Sequence, residues 1–293
     1  MPKKLAGYFP IMATPYREDG QVDLASTRRL TEFLIQNGAQ GMSPNGGDSE
    51  GRFLTEEERM RLTDAVVETN NGRTPVLVGT TSLDAEESAR LSRYAEKAGA
   101  DAIFVMPSWD AWEPTKFTQE EMFARYDTIL DGLMIPIMIH ATPGMDVPFL
   151  ERLIARYPAI QYIKEETTHG PKLRDYIQRL GCRVTVFGPG VQYPAELGWG
   201  AMGVMPSCLA PDLHGKIFDL WQDGQHDEAR CIWSRLLPLV FWRWHTSAQE
   251  AGKLYLKHLG VFETSYTRPD HGKLKLDEAD RQEMLRVLAD LGR

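Results

Sequence analysis

PVLVGTTSLDAEESARLSRYAEKAGADAIFVMPSW, residues 75–109, contains a complete structural unit. Pro75 to Val78 and Ala102 to Met106 are short apolar runs of the kind that form buried strands. Between them the apolar residues take helical spacing, with Ser82 or Asp84 as N-cap. Near-continuous apolar strands joined by an amphipathic helix indicate parallel pairing in a sheet whose outer face is covered.

The same unit recurs along the chain. Apolar strands are predicted at Tyr8 to Met12, Gly41 to Ser43, Pro75 to Val78, Ala102 to Met106, Ile135 to His140, Ile160 to Lys164, Val184 to Phe187 and Gly203 to Met205. The stretch LTEEERMRLTDAVVETNNG is a helix with its signals written out: Thr55 as N-cap, Glu58 completing a capping box, and Asn71-Gly72 as the stop. Eight β/α units predict an α/β fold, a closed (β/α)8 TIM barrel over residues 1–210. From Pro211 to Arg293 only helical periodicity appears, which predicts a C-terminal helical extension over 211–293. An open doubly wound sheet is the alternative, disfavoured by the strand count and by the lack of GxGxxG after the first strand.

Bulk properties narrow the function. A net charge of -8 with no Lys/Arg-rich run argues against nucleic acid or an anionic membrane as partner, while leaving room for a small anionic substrate. Three cysteines without CxxC spacing suggest neither a disulfide framework nor a thiolate metal site and fit a reducing cytoplasm. No segment approaches the roughly 20 apolar residues of a membrane helix, and MPKKLAGYFP lacks the apolar core of a signal peptide. The seven histidines show no HExxH or paired spacing, so no metal is expected.

One strand ends unusually. In IQYIKEETTH, residues 160–169, an apolar run closes on Lys164, Glu165 and Glu166, although charged groups are costly to bury without partners. Side chains alternate along a strand, so Lys164 and Glu166 share a face and Glu165 takes the other. The C-terminal ends of barrel strands form the active-site face, which places Lys164 and Glu166 at the mouth. Partial desolvation there favours the neutral amine, which can form a Schiff base with a ketone, and a carboxylate two residues on can move protons at the neighbouring carbon. From position alone, a salt bridge closing the rim is the commoner arrangement.

Several segments taken in order decide between these readings: GYFPIMATPY, SEGRFLTEEER, the 75–109 stretch, IPIMIHATPG, YIKEET, GAMGVMPSCLAP and AGKLYLKHLG. Together they resemble the dihydrodipicolinate synthase and N-acetylneuraminate lyase family of Schiff-base enzymes over most of the chain. The resemblance implies a barrel with C-terminal helices, a homotetramer, a substrate that is pyruvate or a 2-keto acid containing it, and no metal or organic cofactor. On this mapping Lys164 is the Schiff-base lysine. Thr14 matches a position near the substrate carboxylate, although a threonine before proline can equally just close a strand.

The chain also departs from the family pattern. His140 stands where a proton-relaying tyrosine is usual, and it either transfers protons itself or only fills the mouth. In the carboxylate-binding loop the chain reads GGDSE, Gly46 to Glu50; Gly47, Asp48 and Ser49 are the candidate contacts, with Asp48 expected to turn away and the loop amides and Ser49 to hold the carboxylate. Trp109 and Asp110 replace a pair of tyrosines. Losing tyrosines while gaining Glu166 resembles the 2-keto-3-deoxy-L-arabonate dehydratases of this family, which implies dehydration of a 2-keto-3-deoxy sugar acid. A pyruvate-dependent aldolase or condensing lyase is the alternative enzyme, and a catalytically silent sugar-acid binder the alternative outside enzymes.

Further expectations concern individual residues and small groups. Gly188 and Gly190 either let backbone approach the substrate or serve the turn. Met205, Pro206 and Ser207 are candidates for lining the pocket, with Ser207 the polar one. Thr167 points away from Glu166 and reads as structural, and Trp242, Trp244 and His245 read as core or subunit contact.

Overall fold

The computed structural model describes residues 5–167, 170–245, 248–269 and 276–292, with the side chains of 242–245 and 248 outside that set. The expectation for Trp242, Trp244 and His245 therefore lies outside the described side chains. Among the described residues seven parallel strands form one sheet: β1 (Gly7–Tyr8), β2 (Leu77–Gly79), β3 (Ala102–Val105), β4 (Ile137–Ala141), β5 (Ile160–Glu165), β6 (Thr185–Gly188) and β7 (Gly203–Val204). Their spatial order is β1-β7-β6-β5-β4-β3-β2, running round the sheet without the reversal that a doubly wound sheet contains. The fold is α/β and TIM-barrel-like.

The strand expected at Gly41 to Ser43 is not a regular strand. It pairs through isolated parallel bridges, Ile11 with Ser43 and Met42 with Val76. Backbone hydrogen bonds from Ser43 N to Pro10 O (2.9 Å) and from Met42 N to Pro75 O (3.0 Å) nevertheless join it to chain on both sides. Gly41 is needed there, because a Cβ would lie 2.0 Å from the Phe9 ring.

Between the strands lie α1 (Leu24–Gln36), α2 (Glu56–Asn70), α3 (Ala85–Ala98), α4 (Gln119–Leu130), α5 (Val147–Arg156), α6 (Gly170–Leu180) and α7 (Tyr193–Gly198). They are followed by α8 (Pro211–Gln222), α9 (His226–His245), α10 (Ala248–His258) and α11 (Glu278–Asp290). The expected signals operate: Thr55 and Glu58 form the capping box of α2, Asn71 closes it in the left-handed region at φ 46°, and Asp84 rather than Ser82 caps α3.

Strand alternation sorts the core into two layers. Leu77, Ala102, Phe104, Met138, Tyr162, Phe187 and Met205 meet inside the curl of the sheet. Val78, Ile103, Val105, Ile139, Ile163 and Val186 face the helices, in a cluster that continues to Leu236 on α9, Tyr255 on α10 and Met284 on α11. The parity settles the direction of the strand ends: Lys164 follows Tyr162 on the inner face, and His140 follows Met138.

Candidate active site

At the C-terminal ends of the strands opens a cavity of about 610 Å³ whose lining includes Lys164, Glu166 and His140. Lys164 is the penultimate residue of β5 and sits directly across the β4–β5 ladder from His140. Glu166 follows the strand and turns back over both, with Oε2 2.6 Å from Lys164 Nζ and 2.5 Å from His140 Nε2. The Lys164 side chain is 2% exposed and that of Glu166 25%, so the amine is enclosed while the carboxylate meets the cavity.

The electrostatics of the trio follow from that contact. Burial works against ionised Glu166, but Lys164 and His140 outweigh it and hold the carboxyl far below the ordinary carboxylate range. Burial first, and the Lys164 cation second, push the His140 imidazole below its ordinary value against the pull of Glu166. Near neutral pH the ring is therefore uncharged, and its one N–H is available to the carboxylate. The Trp112 ring stands edge-on to His140 at 5.6 Å between centroids. Glu166 thus touches both the amine that can attack a carbonyl and the ring that can orient or relay a proton.

Glu165 takes the opposite face, as alternation requires: it accepts hydrogen bonds from the backbone N–H (2.8 Å) and the hydroxyl of Thr167. Both residues belong to the outer side of the strand end, in agreement with the structural reading of Thr167.

Of the other expected site residues, Gly47, Asp48, Trp109, Gly190 and Ser207 line the cavity. Asp48, expected to turn away, is half-buried on that lining. Ser49 does not line the cavity, against the expectation, and Thr14 does not either, in keeping with the second of its two readings. The Ser49 hydroxyl donates to Met12 O at 2.5 Å and accepts from Gly46 N at 3.0 Å, while the Thr14 hydroxyl donates to Ser49 O at 2.6 Å. Their hydroxyls are consumed in fastening the glycine-rich loop to the end of the first strand segment, because buried loop amides and carbonyls require partners. Asp110 pairs with Arg52 (3.0 Å) and Lys116 (3.8 Å) rather than standing free at the mouth.

Gly190 earns its place by conformation. Its φ is +77°, and a Cβ would press on Pro206 at 3.0 Å. Gly188 admits a carboxylate instead of a substrate: a Cβ there would lie 2.2 Å from Glu196 Oε2. Sequence reasoning missed Arg52, Trp112, His214 and Gln249 on the lining. Trp112 carries one local signal, its three-residue spacing from Trp109 within a 3₁₀ turn; Gln249 comes from a distant helix and carries none. Among the described residues no group of three or more His, Cys, Asp or Glu is arranged to hold a metal, and no helix is long and apolar enough to cross a membrane.

Comparison with known proteins places this geometry. The chain is 30% identical over 291 residues to the L-2-keto-3-deoxyarabonate dehydratase of Azospirillum brasilense, covering 96% of this chain and 93% of that protein. It is 33% identical over 243 residues to the 4-hydroxy-tetrahydrodipicolinate synthase of Syntrophobacter fumaroxidans, covering 80% and 81%. Among solved structures, a putative dihydrodipicolinate synthetase from Pseudomonas aeruginosa superposes with a TM-score of 0.90 at 24% identity, over 98% of this chain and 100% of that one, a likeness of fold. The model of the dihydrodipicolinate synthetase family matches residues 4–290. With the inward lysine at the end of β5 and a family match along nearly its whole length, the chain belongs to the dihydrodipicolinate synthetase family and is a lyase of that family.

Proposed function

We propose that this lyase forms a Schiff base between Lys164 and a 2-keto acid and dehydrates a 2-keto-3-deoxy sugar acid such as 2-keto-3-deoxyarabonate. The observation that carries the reading is the position of Glu166 Oε2, within 2.6 Å of Lys164 Nζ and 2.5 Å of His140 Nε2 inside the cavity. The likeness to a named dehydratase over 96% of the chain supports it. The reading takes the sheet as a complete (β/α)8 barrel, with the Gly41 to Ser43 segment as its remaining strand.

In the proposed sequence Lys164 passes its ammonium proton to Glu166 and the freed amine adds to C2 of the substrate; the carbinolamine hydroxyl takes that proton back from Glu166 and leaves as water, giving an iminium and restoring the Glu166 carboxylate. Glu166 removes a proton from C3, and the electrons of that C–H bond pass into C2=C3 as the iminium becomes an enamine. The enamine electrons then expel the C4 hydroxyl, which takes up the proton held by Glu166 and leaves as water. His140 orients Glu166 through these transfers. The glycine-rich loop at Gly47 and Asp48, with Trp109, Gly190 and Ser207, forms the substrate-facing wall. Hydrolysis of the iminium frees Lys164.

Incubation with a panel of 2-keto-3-deoxy acids, followed by product analysis, tests the reading. A dehydrated keto acid without pyruvate is expected. Pyruvate release would mean carbon–carbon cleavage and an aldolase, and binding without turnover would mean a silent binder.

A further inference from the structure

Pro189, Gly190 and Val191, in the loop between β6 and α7, form one wall of the cavity. A single carboxylate holds this loop from behind. Glu196 on α7 is 2% exposed; its Oε2 accepts from Gly190 N at 2.8 Å and its Oε1 from Gln192 N at 2.7 Å. Gly188 makes the approach possible, since a Cβ there would collide with Oε2, and Gly190 is pressed between this carboxylate and Pro206 of the cavity. One face of the loop meets the substrate space while the other is tied to a buried charge that the catalytic trio does not use.

We propose that Glu196 is a positioning residue: ionised, it fixes residues 189–191 in the shape that binds the 2-keto acid, and protonation releases an amide and loosens that wall. The inference rests on the reading of this cavity as the 2-keto acid site. Here each oxygen serves a different N–H, and protonation places an O–H donor on one of them and weakens it as an acceptor. The charged and titratable groups around Glu196 are Glu165 from β5, which repels its negative charge, and Tyr193 on its own helix. Burial pushes the Glu196 carboxyl up to about 7, against the amides of Gln192, Gly190 and Val191 and with Glu165 adding to the rise. The wall therefore tightens as pH rises through neutrality, where the carboxylate forms.

The test uses pyruvate as probe and Lys164 as reporter. The amount of pyruvate that half-saturates reductive trapping is read by intact-protein mass spectrometry between about pH 6 and about pH 8, in the wild type and in Glu196→Gln. Because one charge-assisted hydrogen bond is at stake, the wild-type half-saturating concentration is expected to fall about fivefold across that range. In Glu196→Gln it stays near the wild-type acid value, and maximal trapping is unchanged. A variant curve that follows the wild type, or a loss of maximal trapping at unchanged half-saturation, overturns the proposal. Should Glu196→Gln fail to fold, Gly188→Ala, which displaces the carboxylate, is expected to raise half-saturation alone; a wild-type value would refute the role. A wild type that traps no pyruvate at all would instead overturn the reading of the cavity, and the positioning role with it.

Discussion

Two lysines among the described residues are buried against glutamates, and they differ in how far the acid partner is exposed. Lys164 meets Glu166, whose side chain is 25% exposed to the cavity; Lys253 on α10 meets Glu50, with side-chain exposures of 0% and 1%. Lys253 is closed in further by the Tyr16 ring, 4.2 Å from its amine, and by Tyr266 O at 3.3 Å. Burial pushes the Lys253 amine below its ordinary range against the pull of Glu50. Desolvation alone thus does not make a lysine a reagent. The amine proposed to react is the one whose acid partner is a quarter exposed to the cavity; Glu50 borders the same cavity but is closed over, and its pair ties a C-terminal helix to the glycine-rich loop.

Removing each partner should separate the two roles. Lys164→Ala is expected to lower turnover on the order of 10⁴ to 10⁶-fold, the scale of losing a nucleophile. It should cost less stability than a change at Lys253, because Glu166 keeps His140 and solvent. Turnover within tenfold of wild type in steady-state assays would break the comparison. Glu166→Gln should lose roughly 10² to 10⁴-fold in turnover, the usual range for a general acid–base, while Lys164 still traps keto acid. Nearly intact turnover would reduce Glu166 to a salt-bridge partner.

Lys253→Met acts on the other pair. It removes the ammonium that pairs with Glu50 in the interior and should cost about 3 to 5 kcal/mol in denaturant unfolding, the range for breaking one side of a buried ion pair. A loss below about 1 kcal/mol would show that water reaches Glu50. The smallest effect is expected at His140. His140→Gln removes one hydrogen bond to a charged group and should slow turnover about tenfold. Because the His140 imidazole is held below its ordinary value, its protonation defines an acid limb in kcat, and that limb should vanish in the variant. A limb that persists would assign it to another group.

The legibility of these regions differs for physical reasons. Strand and helix positions were readable wherever periodicity and caps are local, as at Thr55 and Asp84. The Lys164–Glu166 face was readable because strand alternation is a two-residue rule. The segment at Gly41 to Ser43 was only half readable: Phe9 demands glycine there, and the pairing is reduced to single bridges. Ser49 and Thr14 look like substrate ligands in the sequence, but loop amides and carbonyls take their hydroxyls first, a competition visible only in three dimensions. Glu196 and Lys253 gave no sign of their partners, since the groups they hold are backbone amides in one case and a residue about two hundred positions away in the other.

The most direct test is borohydride reduction of the wild-type protein with a 2-keto-3-deoxy acid or pyruvate, followed by peptide mass spectrometry. The account predicts a stable adduct on the peptide carrying Lys164 and none on that carrying Lys253. An adduct on Lys253, or unmodified protein at saturating keto acid, would contradict it.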